Sequence, residues 1–215
     1  MVNLTANFTD PSDRKVYRTV KIGNQVWMVE NLDVAKYRNG DIIPNRKGKN
    51  EWGKSEAGAW CYYENDAKNG GTYGRLYNWF AVNDPRGLAP EGWHIPTDEE
   101  WKELEMNLGI GKDEAGYRGW RGQECGGKLK ETGTTHWRAP NKGATNGSGF
   151  TALPGGYRDV DGFFYVLGYG GYWWSATEHS EFIIWYRSLY HTYSKIHRTD
   201  SYAGDGFSVR CVKDS

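Results

Sequence analysis

Alternating apolar and polar positions predict a β-hairpin near the start of the chain. In residues 15–32, KVYRTVKIGNQVWMVENL, Val16, Val20 and Ile22 fall on one side, and Gly23-Asn24 provides a turn between two extended halves. The next segment, residues 37–57, is polar and rich in glycine, so we expect a long loop there.

A helical period predicts a helix within residues 92–111, GWHIPTDEEWKELEMNLGIG. Thr97 can cap it, Glu100 three positions later completes a capping box, and Gly109 ends it. The apolar stripe consists of Trp101, Leu104 and Leu108. Several carboxylates of this segment could suggest acid–base chemistry, but capping and solvated surface are the expected roles of Glu99, Glu100, Glu103 and Glu105.

A second short helix is expected in residues 74–82, GRLYNWFAV, stopped by Asn83-Asp84-Pro85. The second half of the chain is β-like, in four runs bounded by Gly, Asp or Asn: residues 150–158, 162–177, 184–198 and 206–212. Early helices and late strands indicate an α+β fold.

Composition and charge limit the possible functions. The chain has 215 residues, enough for one large domain, and its 11 Trp, 15 Tyr and 7 Phe must supply much of the core. Because 27 basic residues balance 27 acidic ones, no net charge attracts nucleic acid or an anionic membrane, and no apolar run has the length of a membrane helix. The first residues lack the blocks of a signal peptide, so a cytoplasmic chain and a trimmed one both fit, and the compartment stays open.

The three cysteines are far apart in sequence and show no C-x-x-C spacing. Buried free thiols are the expected state of Cys61, Cys125 and Cys211. A bridge between Cys61 and Cys211 is the open alternative.

Four segments carry a resemblance to a known family: VKIGNQVWMVENL, YGRLYNWFAV with LAPEGWHIPTDEEW, GGYWWSATE and GFSVRCVKD. Together they resemble the Fibrobacter succinogenes major paralogous domain family over residues 13–214. That family looks related to the formylglycine-generating-enzyme branch of C-type-lectin-like folds. The resemblance implies a C-type-lectin-like fold with two short helices packed on small antiparallel sheets with long loops. It also implies an extension at residues 1–14 and a single domain at 15–215.

The carboxyl-terminal part also resembles the variable proteins of diversity-generating retroelements, which display a mutable patch on a C-type-lectin scaffold. This resemblance implies a display region at about residues 170–210. Adenine-directed mutagenesis of Asn codons yields Tyr, His, Ser, Thr, Asp, Ile, Phe or Gly. On that basis the nominated ligand-binding, variable residues are His179, Ser180, Phe182, Tyr186, Ser188, Tyr190, His191, Tyr193, Ser194, His197, Thr199, Asp200, Ser201 and Tyr202. The expected scaffold residues are Trp185, Arg187, Leu189, Lys195 and Arg198.

Strand alternation makes this assignment physically plausible. Arg187 and Leu189 share one face of a strand, whereas Tyr186, Ser188 and Tyr190 point to the other. Tyr with Ser and Asp is also the composition of antibody paratopes. The alternative is that the aromatic residues complete a core. We expect core positions for Trp173, Trp174 and Trp185, and display for Tyr190, His191, Tyr193 and His197.

Other chemistries lack their motifs, so we expect no enzyme. The EPN, QPD and WND sequences of calcium-dependent sugar binding are absent, as are H-E-x-x-H and G-x-S-x-G. Formylglycine-generating chemistry needs a close cysteine pair near the carboxyl end, where this chain has only Cys211, which we interpret as a packing residue. Asp159 and Asp161 could hold a hard cation, but a solvated turn is expected. No cofactor is expected, with a structural calcium ion as the open alternative.

The sequence therefore predicts a partner-binding protein whose C-terminal face meets a protein or a cell-surface ligand, with no nucleic acid and no membrane span. The alternative is an exported cell-surface module, not diversified, that binds polysaccharide or scaffolds other proteins. Display on a surface or a virion is implied by the resemblance alone, and the oligomeric state stays open.

Overall fold

The computed structural model describes residues 4–53 and 57–214, which adopt a mixed α+β fold. Residues 1–3 of the predicted extension, 54–56 of the predicted loop, and Ser215 lie outside the described residues. In the described part of the chain, no helix is both long and apolar enough to cross a lipid bilayer.

The helices and strands are short. The strands are β1 (Leu4–Thr9), β2 (Val16–Ile22), β3 (Gln25–Met28), β4 (Trp60–Cys61), β5 (Leu76–Tyr77), β6 (Trp93–His94), β7 (Gly119–Arg121), β8 (Tyr157–Arg158), β9 (Phe164–Tyr165), β10 (Gly170–Ser180), β11 (Ile183–Tyr190), β12 (Ile196–Tyr202) and β13 (Val212–Lys213). The helices are α1 (Lys49–Gly53), α2 (Ala67–Tyr73), α3 (Trp79–Val82), α4 (Asp98–Asn107), α5 (Lys112–Ala115) and α6 (Cys125–Leu129), with a 3-10 turn at Tyr63–Asn65.

Two antiparallel sheets organise these elements. Sheet 1 has the order β1-β2-β3-β13-β6, and sheet 2 has the order β10-β11-β12-β7. Two small pairs, β4-β5 and β8-β9, complete the described strands. The last strand, β13, lies inside sheet 1, so the carboxyl-terminal segment returns to pair with the early hairpin.

The two strongest local patterns are confirmed. The early hairpin forms with β2 and β3 in register, and Gly23 in its turn has a left-handed φ of 60°. The helix α4 starts at a capping box, in which Thr97 accepts from the Glu100 amide and Glu100 accepts from the Thr97 amide. Its residues Trp101 and Leu104 are buried, as their spacing predicts.

The expectation of two helices is wrong, since the described residues contain six α-helices. Residues 74–82 do not form one helix, because Asn78 interrupts them. The Asn78 side chain caps α3 by accepting from the Ala81 amide at 3.1 Å, and the residues before it form β5 and pair with β4.

The predicted strand runs are broader than the observed strands. Residues 150–158 contain only β8, and residues 206–212 form single bridges before β13. Their backbone groups bond in turn to several elements; for instance, the Phe207 amide donates to Tyr77 and the Ser208 amide to Tyr172. At the other end of the chain, residues 4–9 of the predicted extension form β1 and pair with β2.

Three clusters of buried side chains form the core. Trp174 belongs to the first and Trp173 to the second, so β10 packs on both faces at this point, and their predicted burial is confirmed. A smaller third cluster lies around Trp52 and Tyr63. Trp185, also expected in the core, is only half-buried.

A buried ion-pair network joins α4 to sheet 2. Glu105 binds Arg121 and Arg187, each at 2.6 Å, and Asp98 binds Arg187 and Arg198, each at 2.7 Å. Burial alone would raise the pKa of Asp98, but its arginine partners outweigh it and hold that pKa far below the usual range. The expectation of a solvated Glu105 is wrong, because its carboxylate is 0% exposed and faces two guanidinium groups.

All three cysteines are free and buried, as expected, and the alternative bridge between Cys61 and Cys211 is not formed. Each thiol lies in a different core cluster, with Cys211 in the first, Cys125 in the second and Cys61 in the third. Burial raises the pKa of Cys61 to about 12, which makes its thiolate scarce at neutral pH.

Candidate binding surface

One face of sheet 2 carries many of the nominated residues, and we call it the outer face. Cross-strand register places Tyr172, Ser188, His197 and Trp120 in one row across all four strands. Residues directly opposite each other share a face, and so do alternate residues of one strand. The outer face therefore includes Tyr172, Trp174, Ile184, Tyr186, Ser188, Tyr190, His197, Thr199, Ser201 and Trp120.

The opposite, inner face of β11 and β12 packs against the helices. Leu189 and Ile196 enter the second core cluster, and Arg187 and Arg198 bind the carboxylates of α4. These buried groups fix the strands from the inner face. On the outer face Trp174 and Ile184 are buried in the first core cluster, so only the partly exposed outer side chains can change at small cost to sheet 2.

Aromatic rings form a cluster at one end of the outer face, which we call the turn-side cluster. The Trp120 ring stacks on Tyr193 with centroids 4.4 Å apart and lies 4.6 Å from His197, and Tyr190 lies 6.5 Å from Tyr193. Tyr193 is 45% exposed. Burial, followed by Arg121 and Arg118, lowers the pKa of His197, so its neutral form is favoured.

At the β10 edge of the outer face three tyrosines surround a phenylalanine, an arrangement that we call the tyrosine basin. The buried ring of Phe207 lies 5.7 Å from Tyr157, 5.6 Å from Tyr172 and 4.7 Å from Tyr186. Tyr157 also contacts Tyr172, at 4.7 Å between centroids. Three half-buried tyrosine rings therefore surround the buried ring of Phe207.

Not every nominated residue is displayed. The expectation for Ser188 is wrong, because it is only 4% exposed within the row between Tyr172 and His197. Two other serines are half-buried and use their hydroxyls inside the protein: Ser194 donates to the Gln123 carbonyl and Ser201 donates to Asp205.

Five nominated residues lie around the β10–β11 hairpin, away from the basin and the turn-side cluster: His179, Ser180, Phe182, Asp200 and Tyr202. Phe182, in the hairpin turn, has a left-handed φ of 59°, which is strained for a phenylalanine. Together with Phe80 and Tyr202 it lines an open apolar groove of about 350 Å³.

Trp185 lies near this hairpin and belongs to none of the three core clusters. Its ring lies between the Arg198 guanidinium, at 3.6 Å, and the His179 ring, at 4.3 Å. Asp200 pairs with Arg118 at 3.0 Å on the same side. These residues form a local stack of rings and charges at the edge of the inner face.

A buried lysine holds the turn between β11 and β12. Lys130 donates to the carbonyls of Lys142 and Tyr193, each at 2.9 Å, and to that of Tyr190 at 3.3 Å. Burial lowers the pKa of Lys130 to about 8. His191, in this turn, donates from Nδ1 to the Ala139 carbonyl at 2.9 Å, so its ring is partly engaged.

Asp205 is the carboxylate nearest in sequence to Phe207 of the basin. It is 6% exposed, accepts from Ser201 and from the Val160 amide, and forms no ion pair with any described residue. Burial raises the pKa of Asp205 to about 6, although its hydrogen bonds oppose the shift.

Metal-binding chemistry has no assembled site in the described residues, where no three His, Cys, Asp or Glu side chains are grouped to hold an ion. Asp159, a candidate ligand, instead closes the predicted turn by accepting from the Phe163 amide at 2.8 Å. Its carboxylate thus has a structural role within this turn.

The turn-side cluster and the tyrosine basin include residues that were not nominated from the sequence: Trp120, Tyr157, Tyr172 and Phe207. The alternation of Tyr172 with Trp174 along β10 could have identified the first position of the basin. Trp120 is brought to the face by the pairing of β7 with β12, and Tyr157 by the bridge between Gly156 and Gly171. The local sequence has no signal for either long-range contact.

Comparison with known proteins gives one family match. The model of the Fibrobacter succinogenes major domain matches residues 20–213. Searches of curated proteins and of solved structures found no match.

Proposed function

The chain belongs to the Fibrobacter succinogenes major domain family, and from that premise we propose that it is a recognition protein of C-type-lectin-like fold that binds a protein or cell-surface ligand through its outer face. The proposal assigns the chain no catalytic step, and its binding energy comes from a few aromatic anchors.

The supporting observation is the separation of the two residue sets on β11 and β12. Tyr186, Tyr190, His197 and Thr199 lie on the outer face, whereas Arg187, Leu189 and Arg198 lie on the inner face. A scaffold that presents variable side chains needs this separation, because inner-face substitutions would disrupt buried ion pairs and core packing.

The chemistry of the outer face suits a protein partner. Tyrosine combines a large apolar ring with a hydroxyl and has few rotatable bonds, so binding orders it at low entropic cost. We further propose that the outer positions are diversified by adenine-directed mutagenesis, since Tyr, His, Ser and Thr are all accessible from Asn codons.

Sequencing the coding locus from many isolates of the source population tests this proposal. We expect substitutions at Tyr186, Tyr190, Tyr193, His197 and Thr199, no change at the inner positions of β11 and β12, and a reverse transcriptase gene nearby. Substitutions spread equally over both faces, or an invariant outer face, would contradict diversification.

Binding itself is tested with Tyr193→Ala once a ligand is selected from a display library of surface proteins. We expect a loss of affinity with a change of about 1 kcal/mol or less in the free energy of unfolding, because Tyr193 contributes mainly an exposed stack. Met106→Ala is the matched control, since Met106 is exposed on α4, which packs against the inner face. Equal effects of both variants on affinity would place the binding site elsewhere.

Polysaccharide binding by a fixed surface module is the second candidate, favoured by the half-buried Trp120 and the exposed Tyr193, whose rings stack with an interplanar angle of 27°. In that case a panel of soluble glycans, measured by calorimetry, should include a ligand whose binding is abolished by Tyr193→Ala, and the locus should be invariant.

A further inference from the structure

The tyrosine basin has polar groups that the described residues leave without partners. In the described part of the chain, no residue forms a hydrogen bond with the hydroxyl of Tyr157, Tyr172 or Tyr186. A surface that only completed a core would bury these rings and pair their hydroxyls. The basin instead combines three partly exposed rings with hydroxyl groups that no described residue binds.

The charge next to the basin is negative and uncompensated. Asp205 precedes Phe207 by two positions in the sequence. Gly206, which lies between them, pairs with Arg158, the residue that follows Tyr157. The Ser201 hydroxyl donates to Asp205. Ser201 lies two residues from Thr199 on the same face of β12, and Thr199 is directly opposite Tyr186. These connections bring the Asp205 carboxylate to the side of the basin formed by Tyr157 and Tyr186.

Nearby cations of the protein are engaged elsewhere. The Arg158 guanidinium donates to the carbonyls of Arg46 and Lys47, at 2.7 and 3.0 Å. Arg118 donates to Thr199, the residue opposite Tyr186, and pairs with Asp200. Both guanidinium groups are therefore already bound to other groups of the protein, whereas the aromatic faces and the carboxylate of the basin attract a cation.

We propose that the tyrosine basin binds a cationic side chain of the partner, the ammonium group of a lysine or the guanidinium group of an arginine. This rests on the proposed function of the outer face and specifies its partner chemistry. The cation lies against the faces of Tyr157, Tyr172 and Tyr186, their hydroxyls accept its N–H groups, and Asp205 compensates its charge.

The same protein already uses this type of contact. The Lys49 ammonium lies 3.6 Å from the centroid of the Phe163 ring, and the Arg75 guanidinium lies 4.0 Å from that of Trp60. An anionic partner group would face the Asp205 carboxylate, and an aliphatic one would leave the tyrosine hydroxyls unsatisfied, so neither fits the basin as well.

Two small probes that differ only in charge test the inference. Nα-acetyl-lysine methylamide and its Nε-acetylated counterpart are titrated into protein with isotope-labelled tyrosines, and ring resonances are followed by NMR. We expect the cationic probe to shift the resonances of Tyr157, Tyr172 and Tyr186 in a saturable way, and the neutral probe to bind at least several-fold more weakly. Equal binding of the two probes would overturn the inference.

Variants locate the site. Asp205→Asn removes the charge and keeps the shape, and we expect it to weaken the cationic probe several-fold; Tyr186→Phe keeps the ring and should weaken it less than Tyr186→Ala. Tyr193→Ala, at the turn-side cluster, is the matched control and should leave probe binding unchanged. If Asp205→Asn bound the cationic probe with unchanged affinity, the proposal that Asp205 compensates the charge of the cation would be rejected.

The two proposals can fail separately. If locus sequencing shows diversified outer positions but the cationic probe does not bind the basin, the recognition function stands and the cation site is rejected. If the probe binds the basin and the locus is invariant, the cation site stands and diversification is rejected.

Discussion

Glu105 shows how strongly one side chain can depend on its neighbours. Its two carboxylate oxygens accept from Arg121 and Arg187, and all three groups are excluded from water. We predict that Glu105→Gln lowers the free energy of unfolding by about 3–5 kcal/mol, because two buried guanidinium groups lose their counter-charge. Urea denaturation followed by circular dichroism measures this change.

Glu99 on the same helix is the matched control for that experiment. Its carboxylate is 81% exposed and pairs only with Lys102. Glu99→Gln should change the free energy of unfolding by no more than about 0.5 kcal/mol. If the two variants were equally stable, the network on the inner face would not be the anchor of sheet 2.

Asp205 gives a prediction on pH. Since burial raises the pKa of Asp205 to about 6, the folded protein holds this proton more tightly than the unfolded chain does. The stabilising contribution of the protonated form is complete below the unfolded pKa of about 4 and is lost as the pH rises to about 6.

Asp205→Asn should remove this pH dependence. We expect the stability of the variant relative to the natural protein to increase between pH 4 and 7 by on the order of 2–3 kcal/mol. Thermal unfolding at half-unit pH steps measures the trend. A relative stability that is constant with pH would show that Asp205 titrates with an ordinary pKa.

At the scale of elements, His94 on β6 links two other parts of the fold. Its ring nitrogens lie 2.6 Å from Glu100 at the start of α4 and 2.6 Å from Asp214 after β13. Burial alone would lower the pKa of His94, but the hydrogen bonds to Asp214 and Glu100 outweigh it and raise that pKa.

His94→Gln should therefore destabilise the protein most in weakly acidic solution. A raised histidine pKa gives stability that is fully present below the unfolded pKa of about 6.5 and is lost as the pH rises through the folded pKa. Unfolding free energies of both proteins from pH 5.5 to 9 measure the difference, which should shrink with rising pH. A difference that widened toward pH 9 would show that the charged form of His94 does not stabilise the fold through Glu100 and Asp214.

Elements whose signals are local in the sequence could be predicted from it. The helix α4 was predictable because its cap, stripe and stop all lie within 13 residues, Thr97 to Gly109. The two faces of β11 were predictable from simple alternation. By contrast, β5 depends on the cap formed by Asn78 and on pairing with β4, and neither follows from residue type alone.

The candidate site was predictable only in part for a similar reason. Tyr186, Tyr190 and His197 could be nominated because they lie in one stretch of suggestive composition. The basin needs Tyr157 and Phe207 as well, and only long-range bridges bring these elements together. The burial of Ser188 depends on its cross-strand neighbours, which a single strand does not reveal.

At the scale of the whole molecule, the core clusters are linked by shared strands. Trp173 and Trp174 place β10 in the second and first clusters, and Leu76 and Tyr77 place β5 in the third and first. Because β5 and β10 each contribute to two clusters, the loss of one cluster would also displace a strand that packs in another. We expect the described domain to unfold as one cooperative unit.

The free thiols can test this, because each cluster contains one: Cys211, Cys125 and Cys61. In the folded protein we predict no rapid reaction of any thiol with a disulfide reagent, since all three are buried and burial raises their pKa values. In increasing urea, pulse labelling followed by mass spectrometry should modify the three at the same midpoint. Labelling of Cys61 at a lower urea concentration than the other two would instead show that the small third cluster opens independently of sheets 1 and 2.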